Sequence, residues 1–207
     1  MRLIAVGKSL GFALAPPLLA LVGTVAPPTA AAQSKLVVRP IAEMKLKQLP
    51  SGPLYWRIEI FPTLAAAQTA AGSTGLAAEV ADQAWLFTLA PRGGSSTGGS
   101  KVAEIGPVPE VTAPEYLLRV NRAGGPPGAR TSIHTHPGAE AFYVLAGRMT
   151  QRTPQGVLQL DVGQAAPGHA PDTPMQVLSS ASVDLDQFVM FVVDATRPFS
   201  APAKFPP

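Results

Sequence analysis

Two of the three histidines stand two residues apart, at His134 and His136, and a glutamate follows at Glu140. On a strand, residues two apart point to the same face, so both imidazoles are expected to project together. Pro137-Gly138 reads as a turn, and Glu140 opens a second strand that folds back beside the first. That arrangement brings a carboxylate near two imidazoles, a donor set that suits a divalent transition metal such as Fe, Mn, Cu, Ni or Zn. The His-x-His pair alone is a weak signal, because histidines on a strand are often core or surface residues. Phe142 and Val144 share strand parity with Glu140 and are expected to line the same interior. Arg119 and Arg130 lie near the motif. Either could hold an anionic group in a bidentate grip, although a solvated surface arginine is the favoured reading.

These residues need a scaffold of strands. Over residues 112–196, short apolar stretches recur between Gly and Pro signals. Candidate strands are 116–120, 131–136, 140–145, 156–160, 175–178 and 188–193. Frequent short strands of this kind indicate an antiparallel sandwich or barrel. Residues 33–111 read as an extension packing on the barrel, with strands at 54–61, 84–89 and 101–105. Its alanine-rich stretch from 63 to 71 predicts a short helix capped by Thr63. Residues 93–100 read as a flexible surface loop, and the Pro-rich tail over 197–207 is expected on the surface. Trp56 and Trp85 are expected to pack the core or a subunit interface.

The spacing around the histidines is more specific than the pair. Gly128, five residues, His134-x-His136, three residues, Glu140, six residues and Gly147 resemble the first motif of the cupin superfamily at every fixed position. The resemblance covers about half of the mature chain. It implies an all-β fold, a cupin jelly-roll β-barrel, with His134, His136 and Glu140 as metal ligands. The family's second motif is only partly matched. Gly163 begins it, with one residue more than the pattern before the next fixed position. Met175 then stands where the family's fourth ligand, a histidine, is expected, and Asp172 replaces a turn glycine. Three outcomes follow for this position. Met175 ligates a soft metal, Met175 only lines the pocket, or His169 reaches in from the preceding loop. Gln176 is expected beside the pocket, and Tyr143 as a support for the ligands.

The resemblance further implies a metal-dependent enzyme acting on a small organic molecule, dioxygenase-like or isomerase-like. The alternative is a non-catalytic binding or sensing barrel, with or without metal. A homodimer is also an expectation of the family. No Ser-His-Asp arrangement is readable, and 93–100 lacks the spacing of a phosphate-binding loop.

Residues 1–32 read as a cleaved signal peptide. Arg2 and Lys8 precede an apolar run over 10–25, and Ala30 and Ala32 fit a cleavage site ahead of Gln33. Pro16-Pro17 would break a spanning helix, so no stable membrane insertion is expected after cleavage. Periplasmic or secreted localisation follows. Without the leader, 14 Lys+Arg face 13 Asp+Glu. That near-neutral balance argues against a nucleic-acid partner. There is no cysteine, so stability outside the cytoplasm must come from core burial and from any bound metal.

Overall fold

The computed structural model describes residues 34–206. The expected leader and the start at Gln33 lie outside them. Along the chain run β1 (Val37–Leu46), β2 (Leu54–Phe61), the helix α1 (Leu64–Ala70), β3 (Gly75–Val80), β4 (Gln83–Pro91) and β5 (Ser100–Ile105). Next come β6 (Tyr116–Gly125), β7 (His134–Thr135), β8 (Gly138–Ala146), β9 (Arg148–Thr153) and β10 (Gly156–Asp161). The last are β11 (Ala165–Pro167), β12 (Gln176–Ser179), β13 (Leu185–Asp194) and β14 (Ala201–Pro202). Among the described residues the fold is all-β apart from α1 and one short 3₁₀ turn.

Three sheets build the body. The central one has five strands in the order β1-β6-β13-β8-β11, all antiparallel. Its two faces bury different cores. Leu118, Val120, Ala141, Phe188 and Met190 pack against the four-stranded sheet β3-β4-β2-β5, meeting Trp56, Ile58, Phe87 and Leu89. The opposite face packs Phe142, Val144 and Val189 against Met149, Leu160 and Val177 of the three-stranded sheet β10-β9-β12. Strands covered on both faces lose the alternation of polar and apolar residues. This explains the continuous apolar run from Ala141 to Ala146 around Tyr143. The jelly-roll pair is thus the five-stranded and three-stranded sheets, and the four-stranded sheet forms an added layer.

Several local features follow from their sequence. The Thr63 hydroxyl accepts a hydrogen bond from Ala66 N at 3.1 Å, capping α1 as expected. Trp56 is fully buried, and Trp85 and Phe87 make edge contacts with Phe188 at 5.0 and 4.9 Å. Gly147 turns β8 into β9 at φ +72°, where an added Cβ would meet Asp184 O at 2.6 Å. Only glycine meets both demands.

One expectation is corrected. Residues 93–100 are anchored. Ser96 N and Oγ both donate to the fully buried Glu59 at 2.7 Å, and Arg57 Nη1 donates to Gly93 O at 3.1 Å. Burial opposes ionisation of Glu59, but the bonds from Ser96 and Arg57 outweigh it and hold its pKa below the ordinary value. The tail lies on the surface as expected, and it is tied down there. β14 pairs with β7 through Ala201↔Thr135 and Pro202↔His134. Arg197 grips Asp172 through both carboxylate oxygens, at 3.0 and 2.7 Å.

Candidate functional site

The strand that was expected over 131–136 is short. Only His134 and Thr135 form β7, stitched to Met175 by His134 N donating to Met175 O at 3.0 Å and the reverse bond at 2.9 Å. The two imidazoles still lie together, with ring centroids 4.9 Å apart and planes at 88°. His134 Nδ1 is 2.8 Å from Ser132 O. His136 Nδ1 is 2.6 Å from Phe199 O, and its ring packs in a three-ring cluster with Phe191 and Phe199, each 4.8 Å away. A carbonyl oxygen can only accept, so each Nδ1 carries the proton. In the neutral ring the free lone pair then belongs to Nε2. For His136 burial pushes the pKa down to about 4, against the opposing pull of the Phe199 carbonyl and with help from the charges of His134 and Arg119. It is therefore neutral at pH 7.

Glu140 is the third residue of β8 and is buried. Gln151 Nε2 donates to its Oε1 at 2.7 Å. Burial pushes the Glu140 pKa up to about 8, with the Gln151 bond pulling the other way. The backbone closes over it from the far side. Gly168 N donates to Glu140 O at 2.7 Å, and a Cβ on Gly168 would lie 2.5 Å from Glu140 Cγ. Glycine is thus required there by close approach.

His134, His136 and Glu140 line one cavity of about 320 Å³, near the lower end of the small-molecule range of about 300–1,000 Å³. Phe142, Val177, Val189, Phe191 and Phe199 supply its apolar walls. Among the described residues, however, no three or more His, Asp or Glu side chains are gathered into a ready-made metal cage. The donor chemistry fits a transition metal, because two imidazoles with Nε2 free and a carboxylate line the same cavity. Full coordination requires those donors to close further around the ion.

The remaining candidates divide. Phe142 lines the cavity as expected. Val144 is buried in the same core but forms no part of the wall. Gln176 does not face the cavity. It donates from Nε2 to Thr131 O at 3.0 Å, and alternation along β12 hands the wall position to Val177. Met175 is buried, its Sδ 3.5 Å from Gln151 Nε2, so it packs behind Glu140 rather than on the cavity wall. His169 is half-buried outside the wall, and burial lowers its pKa. Arg119 does not line the cavity either. It pairs with Glu43 at 2.7 Å and sits over the Phe199 ring at 4.3 Å. Arg130 is also absent from the wall, its buried Nε lacking a partner.

Sequence reasoning missed four residues. Phe199 was assigned to a surface tail, although an aromatic residue among prolines hinted at packing. Gln151 interrupts no pattern on β9 and gave no signal. Asn121 and Gln187 both line the cavity. Each lies one residue beyond an expected strand, 116–120 and 188–193, and a polar residue at an apolar strand's end is easily taken for a turn.

No protein-family model and no curated protein matches this chain. Solved structures with partial likeness do exist. One reported for DMSP lyases is 20% identical, with 42% of this chain and 44% of that chain covered at a TM-score of 0.37. A cupin-like protein from Thermotoga maritima is 19% identical over 42% of this chain and 65% of its own, also at 0.37. A cupin superfamily protein from Desulfitobacterium hafniense is 10% identical over 37% and 68%, at 0.34. The chain thus spans less than half the length of the first and less than two thirds of the second. Its own sheets carry the fold: two opposed antiparallel sheets enclose a cavity whose wall holds His134, His136 and Glu140, and this chain is an all-β jelly roll.

Proposed function

We propose that this chain binds a small organic molecule beside a divalent transition metal held by His134, His136 and Glu140. The observation that carries the reading is the state of the two imidazoles. Both Nδ1 atoms are committed to backbone carbonyls, which fixes ring orientation and leaves Nε2 for a metal, the arrangement common around metal-bound histidines. A metal there would supply Lewis acidity or activate bound oxygen or water. The protein's own groups would do the rest. Gln151 orients the Glu140 carboxylate, and Phe191 and Phe199 exclude water from His136. A nearby cation would also draw the Glu140 proton off, since burial alone keeps that carboxyl protonated at neutral pH. Oxygen chemistry or isomerisation of a small molecule are the reactions this reading favours. We extend it to an exported protein whose mature chain starts at Gln33, which N-terminal sequencing of the secreted form checks.

Metal analysis of protein purified without chelators is the test. Roughly one equivalent is expected, falling below about a tenth in His136→Ala and Glu140→Gln. Unchanged occupancy in both variants would remove the ligand set. Oxygen uptake with a panel of enols and phenols then separates an enzyme from a binding protein. A second reading, a binding barrel without metal, is favoured by the lack of a ready-made cage among the described residues. It predicts negligible metal in the unaltered protein, together with ligand binding that a chelator leaves intact.

A further inference from the structure

The cavity has a second polar end. Asn121 and Gln187 are 3% and 1% exposed, and both line it. Asn121 Oδ1 and Gln187 Oε1 have no hydrogen-bond partner among the described residues. Strand pairing places them together. Asn121 faces Val189 and Ala123 faces Gln187, so the two carboxamides are diagonal neighbours on one face of adjacent strands. The same ladder sets them apart from Glu140. Glu140 faces Phe191, Phe142 faces Val189, and Val144 faces Gln187. The amide end therefore lies two to four residues along the strand from Glu140, roughly 7–13 Å at the strand rise. Between the two ends the wall is apolar, with Phe142, Val177 and Val189.

Two buried amide oxygens left bare are costly, and native interiors rarely keep one without a use. Their chemistry limits the occupant. A buried anion would lack a counter-charge there, because among the described residues no Lys or Arg lines the cavity. A neutral hydroxyl can donate to either oxygen, and rotation of a carboxamide would let it accept as well.

We infer that Asn121 and Gln187 form a hydroxyl-reading subsite, so that the cavity takes a neutral, largely apolar molecule carrying an alcohol or phenol group at the end away from Glu140. This deepens the small-molecule reading of the same cavity, but it does not depend on a metal being bound.

The probes are 4-propylphenol and its methyl ether, 4-propylanisole, which keeps the apolar body and loses the donor. Binding is measured by titration calorimetry on the full chain as isolated, on Asn121→Leu, Gln187→Met and the double variant, and on His134→Ala. The phenol is expected to bind the unaltered protein at least about ten-fold more tightly than the ether, the worth of one good buried hydrogen bond. In the double variant that preference should shrink to about two-fold or less, with each single variant between. Ether binding should hold or improve. His134→Ala should keep the preference while losing metal, which separates this inference from the metal reading. Equal binding of the two probes, no binding of either, or a preference that survives the double variant would overturn it. So would a preference lost only in His134→Ala, because the metal end would then be reading the hydroxyl. Both variants replace an amide by an apolar side chain of similar shape, and a thermal melt confirms that each is folded before titration.

Discussion

The two faces of the five-stranded sheet are made by alternate residues of the same strands, yet they behave oppositely. One face presents Leu118 and Val120 of β6, Ala139 and Ala141 of β8, and Phe188, Met190 and Val192 of β13. It is closed by the four-stranded sheet, and all of these side chains are apolar. The other face presents Asn121, Glu140 and Gln187, each buried, among Phe142, Val189 and Phe191. Packing there is incomplete, because a cavity remains and two amide oxygens lack partners. One set of backbone positions thus serves stability and the next serves binding. The division teaches that a functional face shows itself by buried polar side chains on a cavity wall, where the same strands present only apolar side chains to the closed core.

The strongest way to break this comparison is Phe188→Ala. Phe188 is fully buried on the closed face, with edge contacts to both Trp85 and Phe87. Truncation leaves a cavity that sheets on both sides cannot collapse, so a loss of about 3–5 kcal/mol is expected in urea denaturation. Ligand binding by the surviving folded protein should be little altered. A loss below about 1 kcal/mol would mean that the closed face is not the stability core.

Next comes pH, which acts on the open face through Glu140 and His136. In the metal-free protein the Glu140 pKa rises from 4.5 to about 8 on folding. The folded state then binds more protons than the unfolded state between those values, so stability falls as pH rises through that window. His136 has the opposite sign. Its pKa drops from 6.5 to about 4, so its contribution grows as pH rises from about 4 to 6.5. His136, joined by His169 with its lowered pKa, opposes Glu140 below 6.5, and from there to about 8 Glu140 dominates. Metal-free protein should therefore lose stability between pH 6.5 and 8, by at most about 1.4 kcal/mol per pH unit. Glu140→Gln should flatten that stretch. A slope unchanged in Glu140→Gln would assign it to another group.

A smaller effect of opposite direction sharpens the contrast. Asn121→Leu removes an unpartnered buried oxygen from the open face. It should raise stability by about 1 kcal/mol while weakening hydroxyl recognition. A polar-to-apolar change that stabilises the protein and impairs binding marks a group held for function. Destabilisation of similar size would show that Asn121 has a structural bond.

How much of this was legible depended on whether the signal was local. The motif from Gly128 to Gly147 is contiguous, and it brings both histidines and the glutamate to one cavity, although His136 falls just past β7 and β8 pairs with β13 and β11 rather than folding back on β7. The strand at 54–61 and the Thr63 cap were legible for the same reason: aromatic and β-branched density in one case, and hydroxyl chemistry in the other. β1 was not legible, because Val37 to Leu46 alternates with Arg, Glu and Lys along an exposed edge and gains its order from pairing with β6. The amide pair escaped because its meaning lies in what does not bond to it, which no single strand's sequence records. Gln176 was misplaced by one residue of register, and at a period of two that turns a side chain to the other face.

The tail gives the mildest test, because its ties to the open face are of unequal kind. Arg197 meets Asp172 in a bidentate pair, but both side chains are half exposed, at 49% and 51%. Water and salt screen such a pair, and holding two long side chains in one geometry costs rotamer entropy. The other ties are a backbone ladder, Ala201 and Pro202 on Thr135 and His134, and the Phe199 carbonyl on His136, in a buried setting. Arg197→Ala should leave global stability unresolved from the unaltered protein and ligand affinity within about two-fold. Amide exchange at Ala203, whose N–H is bonded to Ile133 O, should stay slow. Faster exchange there, with weaker binding, would mean that the exposed pair and not the buried carbonyl keeps Phe199 over the cavity.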